Sequence, residues 1–126
     1  MLGDTAITTL VAVRDLGEAK AFYEKKLQLV RTDEKSEWAQ YRSGTSDLIV
    51  YESEFAGTNK ATTAAWTVND VEETVRVLKT NGVNSFQQYD DLPGTTRDGD
   101  IHHNGAIKMA WFKDPSGNMF EVNGRE

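Results

Sequence analysis

A stretch near the C-terminus, AWFKDPSGNMFEV at residues 110–122, decides the fold of this chain. Its centre, Asp114-Pro115-Ser116-Gly117, places Pro and Gly where turns favour them. The runs on either side, 107–112 (IKMAWF) and 118–122 (NMFEV), are short and mostly apolar. This pattern predicts a β-hairpin around the turn.

The same kind of hairpin is predicted in the first half of the chain, from the short alternating runs 38–42 and 48–52. A strand and a helix precede each hairpin. The predicted strands are 7–13 and 63–68, and the predicted helices run from Asp15 to about Leu27 and from Asp70 to Asn81-Gly82. Each helix begins at an Asp with Glu three residues later, the pattern of a capping box.

The chain is therefore an internal repeat of strand, helix and three strands within a single domain, 1–126. Module one covers 5–54 and module two covers 61–123. In module two we predict a further strand at Val83–Tyr89, followed by an insert at 90–105. The insert is too polar and Gly-rich for a core element, so we expect a long loop that is mobile or acts as a lid.

Composition excludes several classes of protein. The chain has 126 residues, 38% of them hydrophobic, no Cys and a formal charge of −6. The acidic balance argues against a nucleic-acid surface, and the missing Cys excludes disulfides, thiolate zinc sites and cysteine nucleophiles. No run approaches the roughly 20 apolar residues of a membrane span, and we expect no secretory signal and a cytoplasmic location.

The repeat, the Asp15…Phe22-Tyr23 start and above all the 110–122 motif resemble the vicinal oxygen chelate superfamily. That superfamily includes glyoxalase I, extradiol dioxygenases, fosfomycin-resistance enzymes and bleomycin-resistance proteins. One departure is Leu27-Gln28-Leu29, where the family usually has Leu-Gly-Leu. The resemblance implies an α+β fold, in which two βαβββ modules form a curved mixed sheet around a central cleft, and it implies a homodimer.

Strand alternation assigns side chains to the cleft or to the helix-covered core, because successive residues point to opposite faces. The matched pairs Ala39/Tyr41 and Ala110/Phe112 are apolar and are assigned to the core. The opposite parity places these residues in the cleft: Trp38, Gln40, Met109, Trp111, Met119 and Glu121. The inverted assignment, with Tyr41 and Phe112 lining the cleft, is the alternative.

In the metal-dependent members, the resemblance implies that His or Glu side chains hold a divalent metal. The corresponding positions of this chain are Thr8, Val50, Thr63 and Glu121, with Glu52 as a second carboxylate if the register slides. These five residues are candidate ligand-binding residues, together with the cleft residues named above. One or two carboxylates without an imidazole do not make a catalytic metal site. We therefore expect no metal and no other cofactor, with a divalent metal as the alternative.

The only imidazoles are His102 and His103, both in the insert. Adjacent residues of an extended segment point opposite ways, so at most one of them could turn into the cleft. We expect a solvated pair; the alternative is a lid histidine that acts as a metal ligand or general base. The catalytic candidates are Glu121 and His103.

An aromatic cleft with few polar groups suits a small molecule, and flat rings bind planar or cationic ligands. The first hypothesis is therefore a metal-independent binding protein of the bleomycin-resistance type, for antibiotic or metabolite sequestration. The second is a lyase or dioxygenase-type enzyme that uses Glu121 and a loop His, with or without a divalent metal. The third is a structural or regulatory dimer. None of these needs nucleic acid or a membrane.

Overall fold

The computed structural model describes residues 1–125. A 3-10 turn, Leu2–Asp4, precedes the first strand. The strands are β1 (Thr8–Val13), β2 (Val30–Glu34), β3 (Trp38–Ser43), β4 (Ser46–Glu52), β5 (Thr62–Thr67), β6 (Thr96–Asp98), β7 (Ile101–Asn104), β8 (Ile107–Lys113) and β9 (Met119–Arg125). The helices are α1 (Leu16–Ala21), continued by a π-helix at Phe22–Lys26, and α2 (Val71–Thr80).

Contacts divide the chain into two compact units, one of residues 1–60 and 115–118 and one that holds the other described residues. The first unit contains a sheet of order β1-β4-β3-β2, and the second contains a sheet of order β5-β9-β8-β7-β6. In each sheet one parallel pair, β1 with β4 or β5 with β9, adjoins antiparallel strands. The repeated α+β architecture predicted from the sequence is therefore confirmed.

The first helix begins as the sequence predicts and then changes its winding. The Asp15 carboxylate accepts the backbone N–H of Glu18 at 2.8 Å, which satisfies one free donor of the first turn. The Leu27 N–H donates to the Phe22 carbonyl at 3.1 Å, five residues back, so the final turn is π-helical. The widened turn buries Phe22 and Tyr23 side by side, with ring centroids 5.4 Å apart.

Gln28 follows this turn with a φ of 60°, the left-handed conformation that favours glycine. It occupies the position at which the sequence departs from Leu-Gly-Leu. The next strand, β2, has five exposed residues and was not placed by the sequence pattern. Without a buried face, its side chains show no apolar alternation to reveal it.

The second unit begins with the predicted cap, in which Asp70 accepts the N–H of Glu73 at 3.0 Å. Its helix α2 packs Val71 and Val75 against Ala110 of β8. Next to this cluster lies an aromatic group of Phe112 with Trp66, Phe86 and Phe120, at centroid distances of 5.5–6.3 Å. This group covers the helix-side face of the sheet.

Two predictions for the second unit are wrong. Residues 83–89 do not form a strand: a single antiparallel bridge joins Gln87 to Trp111. The insert 90–105, expected as a loop, contributes β6 and β7 to the sheet. Two segments therefore lie along the same edge of β8. Strand β7 pairs with the first residues of β8, and segment 85–87 forms hydrogen bonds farther along the strand, with Trp111 and Lys113.

The turn of the 110–122 motif makes its contacts within the first unit. Asn118 Nδ2 donates to the Ala12 carbonyl at 2.7 Å, and Ser116 Oγ accepts the Arg14 N–H at 3.0 Å. Both polar side chains are buried. Gly57 passes so close that an added Cβ would lie 2.1 Å from the Ser116 carbonyl oxygen. These contacts explain why this turn carries specific polar residues.

Candidate functional site

Burial agrees with the parity inferred from the sequence on β3 and β8, but Met119 of β9, which was assigned to the cleft, is buried, with the Tyr89 hydroxyl 3.9 Å from its sulfur. Ala39, Tyr41, Ala110 and Phe112 are completely or almost completely buried. Their neighbours of opposite parity, including Trp38, Gln40, Met109 and Trp111, are only partly buried. Each sheet thus has a buried face and an open face, and the alternative in which Tyr41 and Phe112 line the cleft is wrong.

The open face of the first sheet carries an apolar recess. Trp38 lies directly opposite Tyr51 across β3 and β4, and Ile49 lies opposite Leu10 on β1. These four side chains line a cavity of about 240 Å³. Leu10 is 59% exposed and Tyr51 is 38% exposed, so the recess is accessible from solvent in this unit.

Two of the proposed binding residues do not lie on this open face. Val50 is completely buried and pairs with Val11 and Ala39 on the core side. Glu52 has the parity of Val50 and lies at the exposed end of β4. Gln40 of the first module matches Trp111 of the second. Because Trp111 pairs with Glu121 and Gln40 pairs with Ile49, the residue that corresponds to Glu121 is Ile49.

The physical reason for this error is the length of the hairpin turn. Ser43 pairs with Ser46 across two intervening residues, whereas Lys113 pairs with Met119 across five. A constant offset between the modules therefore fails after the turn and selects the wrong face. Ile49 and Tyr51, which the sequence analysis did not select, occupy the open face instead.

The two threonines proposed as former ligand positions differ in their placement. Thr8 is exposed at the start of β1, opposite Asp47. Thr63 lies at a register shift between Thr62 and Ala64 of β5, so simple alternation does not fix its face. Neither hydroxyl adds a charged donor to the open faces.

A second, acidic recess lies beside Trp38 and Tyr51, the cross-strand aromatic pair of β3 and β4. Its cavity of about 540 Å³ is lined by Arg14, Glu37, Glu52, Ser53 and Glu54. Glu37 precedes Trp38 and Glu52 follows Tyr51, and the Glu52 N–H donates to the Glu37 carbonyl at 3.0 Å. Three carboxylates against one guanidinium make the wall of this recess negative.

The open face of the second sheet combines an indole with a hydrogen-bonded row. Trp111 pairs with Glu121 across β8 and β9. Asn123 Nδ2 donates to Glu121 Oε2 at 2.6 Å, and Thr67 Oγ1 donates to Asn123 Oδ1 at 2.7 Å. The row fixes the orientation of the half-buried Glu121 carboxylate beside the indole.

Aromatic side chains from two segments lie against the indole of Trp111. The Tyr89 ring lies edge-on to it at 5.3 Å and the His102 ring lies edge-on at 4.8 Å. The Tyr89 hydroxyl reaches the sulfur of Met119 at 3.9 Å, and Met109 pairs with His102 across β7 and β8. Tyr89 was not predicted as a site residue, because it falls at the end of the predicted strand Val83–Tyr89, which does not form.

The expectation of a solvated histidine pair is wrong for His102, which is completely buried. Its Nε2 accepts the Tyr89 N–H at 2.9 Å, and its Nδ1 lies 3.1 Å from the Asp100 carbonyl. A neutral imidazole donates from one nitrogen only, so the proton is on Nδ1. His103 is half-buried and points the opposite way, next to Lys108.

These residues do not fit a metal centre of the kind that the family resemblance implies. Glu121 is the carboxylate that lies on an open face, since Glu52 has the core-side parity, and it already accepts a hydrogen bond from Asn123. Both nitrogens of His102 are engaged. Within residues 1–125, no group of three or more His, Asp or Glu side chains could hold a metal ion.

This architecture is that of a known protein superfamily. The sequence profile of the Glyoxalase/Bleomycin resistance protein/Dioxygenase superfamily matches residues 6–122. The chain belongs to this superfamily. The superfamily resemblance predicted from the 110–122 motif and the repeat is thereby confirmed. A search of curated proteins gave no significant match.

Solved structures of this superfamily share the fold. Lactoylglutathione lyase from Agrobacterium tumefaciens is 17% identical with a TM-score of 0.69, over 95% of this chain and 92% of that one. An antibiotic binding protein from Streptomyces sp. CB03234 is 18% identical with a TM-score of 0.66, over 97% and 98%. The fosfomycin resistance protein from Listeria monocytogenes is 16% identical with a TM-score of 0.69, over 97% and 92%. Among the described residues, no helix is long and apolar enough to span a membrane.

Proposed function

We propose that this superfamily member binds a small, flat organic cation on its open aromatic faces, without a metal held by the protein. The observation that carries the proposal is the recess of Trp38, Tyr51, Leu10 and Ile49. Aromatic and aliphatic walls with a volume of about 240 Å³ suit a planar ring system rather than a polar metabolite. Stacking and cation–π contacts there contribute about 0.5–2 kcal/mol each.

The positive charge of the ligand is inferred from the acidic recess beside the aromatic pair. Glu37 and Glu52 are the immediate sequence neighbours of Trp38 and Tyr51. Glu52 has the opposite parity to Tyr51, so these carboxylates lie at the strand ends rather than on the open face. An ammonium or guanidinium that extends from the stacked ring toward that end would approach them. An anionic group in the same place would face repulsion.

The second sheet supports the same class of ligand. Trp111 keeps part of its surface exposed and has the Glu121 carboxylate as its cross-strand neighbour. An indole beside a carboxylate again suits an aromatic cation. A fold neighbour described as an antibiotic binding protein is consistent with sequestration of an antibiotic or metabolite as the biological role.

The lyase or dioxygenase alternative depends on Glu121, because the two histidines of β7 give it no support. The Nε2 of His102 accepts the Tyr89 N–H and the side chain is completely buried, so it does not face a bound substrate. His103 lies on the other face of β7 from His102. The expected homodimer stays a prediction, which analytical ultracentrifugation tests.

Titration with three tricyclic probes of different charge tests the binding proposal. Proflavine is a cation, phenazine is neutral and anthraquinone-2-sulfonate is an anion. We expect affinity to fall in that order, as measured by fluorescence quenching or calorimetry. Equal affinity for the cation and the anion, or no binding of any probe, would contradict the proposal.

A pair of variants locates the binding surface. Trp38→Ala removes one wall of the recess and should weaken proflavine binding about 3- to 30-fold. Phe55→Ala is the matched control, because Phe55 is also aromatic and is 69% exposed but lies outside the recess. Equal losses in the two variants would mean that the dye binds nonspecifically to exposed aromatic side chains.

A further inference from the structure

We infer that His102 is a positioning residue, which holds Tyr89 and Trp111 in the arrangement that binds the ligand and releases them when it is protonated. This inference rests on the proposed role of the Trp111 face. His102 is completely buried, yet it contacts both aromatic rings and one backbone N–H. Its position in the insert places it outside the repeated part of the module.

The contact to the backbone explains why His102 controls Tyr89. The segment from Val83 to Tyr89 forms no strand, and its backbone is attached to β8 through the bridge at Gln87. Two residues later, the Tyr89 N–H finds its acceptor in His102 Nε2. This bond sets the direction in which the Tyr89 ring leaves the backbone toward Trp111 and Met119.

Protonation changes this bond from attractive to repulsive. When Nε2 takes up a proton from solvent, it becomes a donor that faces the Tyr89 N–H donor at 2.9 Å. The Nδ1 proton can still donate to the Asp100 carbonyl. The imidazolium is therefore compatible with its place on β7 but not with Tyr89 in its present position.

The charged groups near His102 are of both signs. Although burial opposes the ionisation of Asp100, hydrogen bonds from Lys79 and Gln88 outweigh burial and keep the pKa of Asp100 below its usual value. The pKa of Asp90 is also lowered, first by its hydrogen bond from Arg97. Arg97, the cross-strand partner of His102, opposes the imidazolium, as does Lys79. Tyr89, Trp111 and Met109 complete the surroundings without a formal charge.

The test measures proflavine affinity from pH 7.5 to pH 5, a range in which the dye stays a cation. We expect wild-type affinity to fall about 2- to 10-fold on acidification, the range of a lost aromatic contact. His102→Gln offers a carbonyl oxygen to the Tyr89 N–H but does not titrate. It should keep the affinity at pH 7.5 and lose the pH dependence.

His103→Gln is the matched control and should keep the wild-type pH profile. A wild-type affinity independent of pH, or an unchanged profile in His102→Gln, would overturn the inference. NMR of the free protein provides a measurement without a ligand. The Tyr89 amide and His102 Nε2 resonances should shift together on acidification. A Tyr89 amide resonance that stays unchanged while His102 is protonated would also overturn the inference. If no probe binds at any pH while these resonances shift together, the proposed function fails but the switch stands.

Discussion

The phenol of Tyr41 donates a hydrogen bond of 2.7 Å to the Glu24 carboxylate, which joins β3 to the π-helical turn after α1. Glu24 also lies 3.4 Å from Arg31 of β2. Burial, and next the contact with Glu24, raise the pKa of Tyr41 well above its ordinary value. The buried face of the first sheet therefore depends on a protonated tyrosine.

This relationship predicts a loss of stability at alkaline pH. Because the folded pKa is raised, the stabilising effect is complete below the unfolded phenol pKa of about 10 and is lost as pH rises through the folded value. Tyr41→Phe should lower the free energy of unfolding at pH 7 by about 1–2 kcal/mol. It should also flatten the alkaline decline, as measured by urea denaturation between pH 7 and 11.

Tyr51→Phe is the control, because this side chain lies on the open face of the same sheet. Removal of the Tyr51 hydroxyl should change the free energy of unfolding by less than about 0.5 kcal/mol. An alkaline decline of equal size in wild type and Tyr41→Phe would contradict the assignment.

A second prediction concerns Gln28, which holds a left-handed φ of 60° on the surface. Gln28→Gly should raise the free energy of unfolding by about 0.5–1 kcal/mol, because glycine adopts this conformation without steric cost. Gly44 gives the reverse comparison, since it has a φ of 57° and open space around an added Cβ. Gly44→Ala should lose about 1 kcal/mol in the same denaturation experiment. A destabilised Gln28→Gly would mean that the glutamine side chain stabilises the turn.

A third prediction follows from the donor set around Glu121. Protein purified without added metal should contain far less than one zinc, nickel, iron or manganese ion per chain by elemental analysis. Dialysis against a chelator should leave proflavine affinity unchanged. Glu121→Gln keeps an acceptor for Asn123 and should change that affinity by less than about threefold. Stoichiometric metal that is lost in Glu121→Gln would restore the metal-dependent enzyme hypothesis.

Local signals predicted most of the fold. The caps at Asp15 and Asp70 and the alternation of Trp38 to Tyr41 depend on neighbouring residues alone, and they agree with the structure. The prediction of Val50 on the open face needed the register across a hairpin. That register depends on the turn length, which differs between the modules.

The insert shows a different limit of sequence reasoning. Its polar composition predicted a loop, but His102 is buried because its two nitrogens find backbone partners at Tyr89 and Asp100. A polar residue is buried when its hydrogen bonds are satisfied, and those partners are set by tertiary structure. Only the opposite orientation of His102 and His103 followed from the sequence.

The last prediction compares two adjacent aromatic residues on opposite faces of β8. Phe112 is 1% exposed and packs among Trp66, Phe86 and Phe120, so Phe112→Ala should lower the free energy of unfolding by about 3–5 kcal/mol. Trp111 is partly exposed, and Trp111→Ala should cost less than half as much while it weakens proflavine binding. Urea denaturation and dye titration measure the two effects. If Phe112→Ala does not fold, Phe112→Leu takes its place. It should lower the free energy of unfolding by a smaller amount and leave proflavine affinity unchanged. If Trp111→Ala destabilises the protein as much as Phe112→Ala, the indole belongs to the core and the open face is not a binding surface.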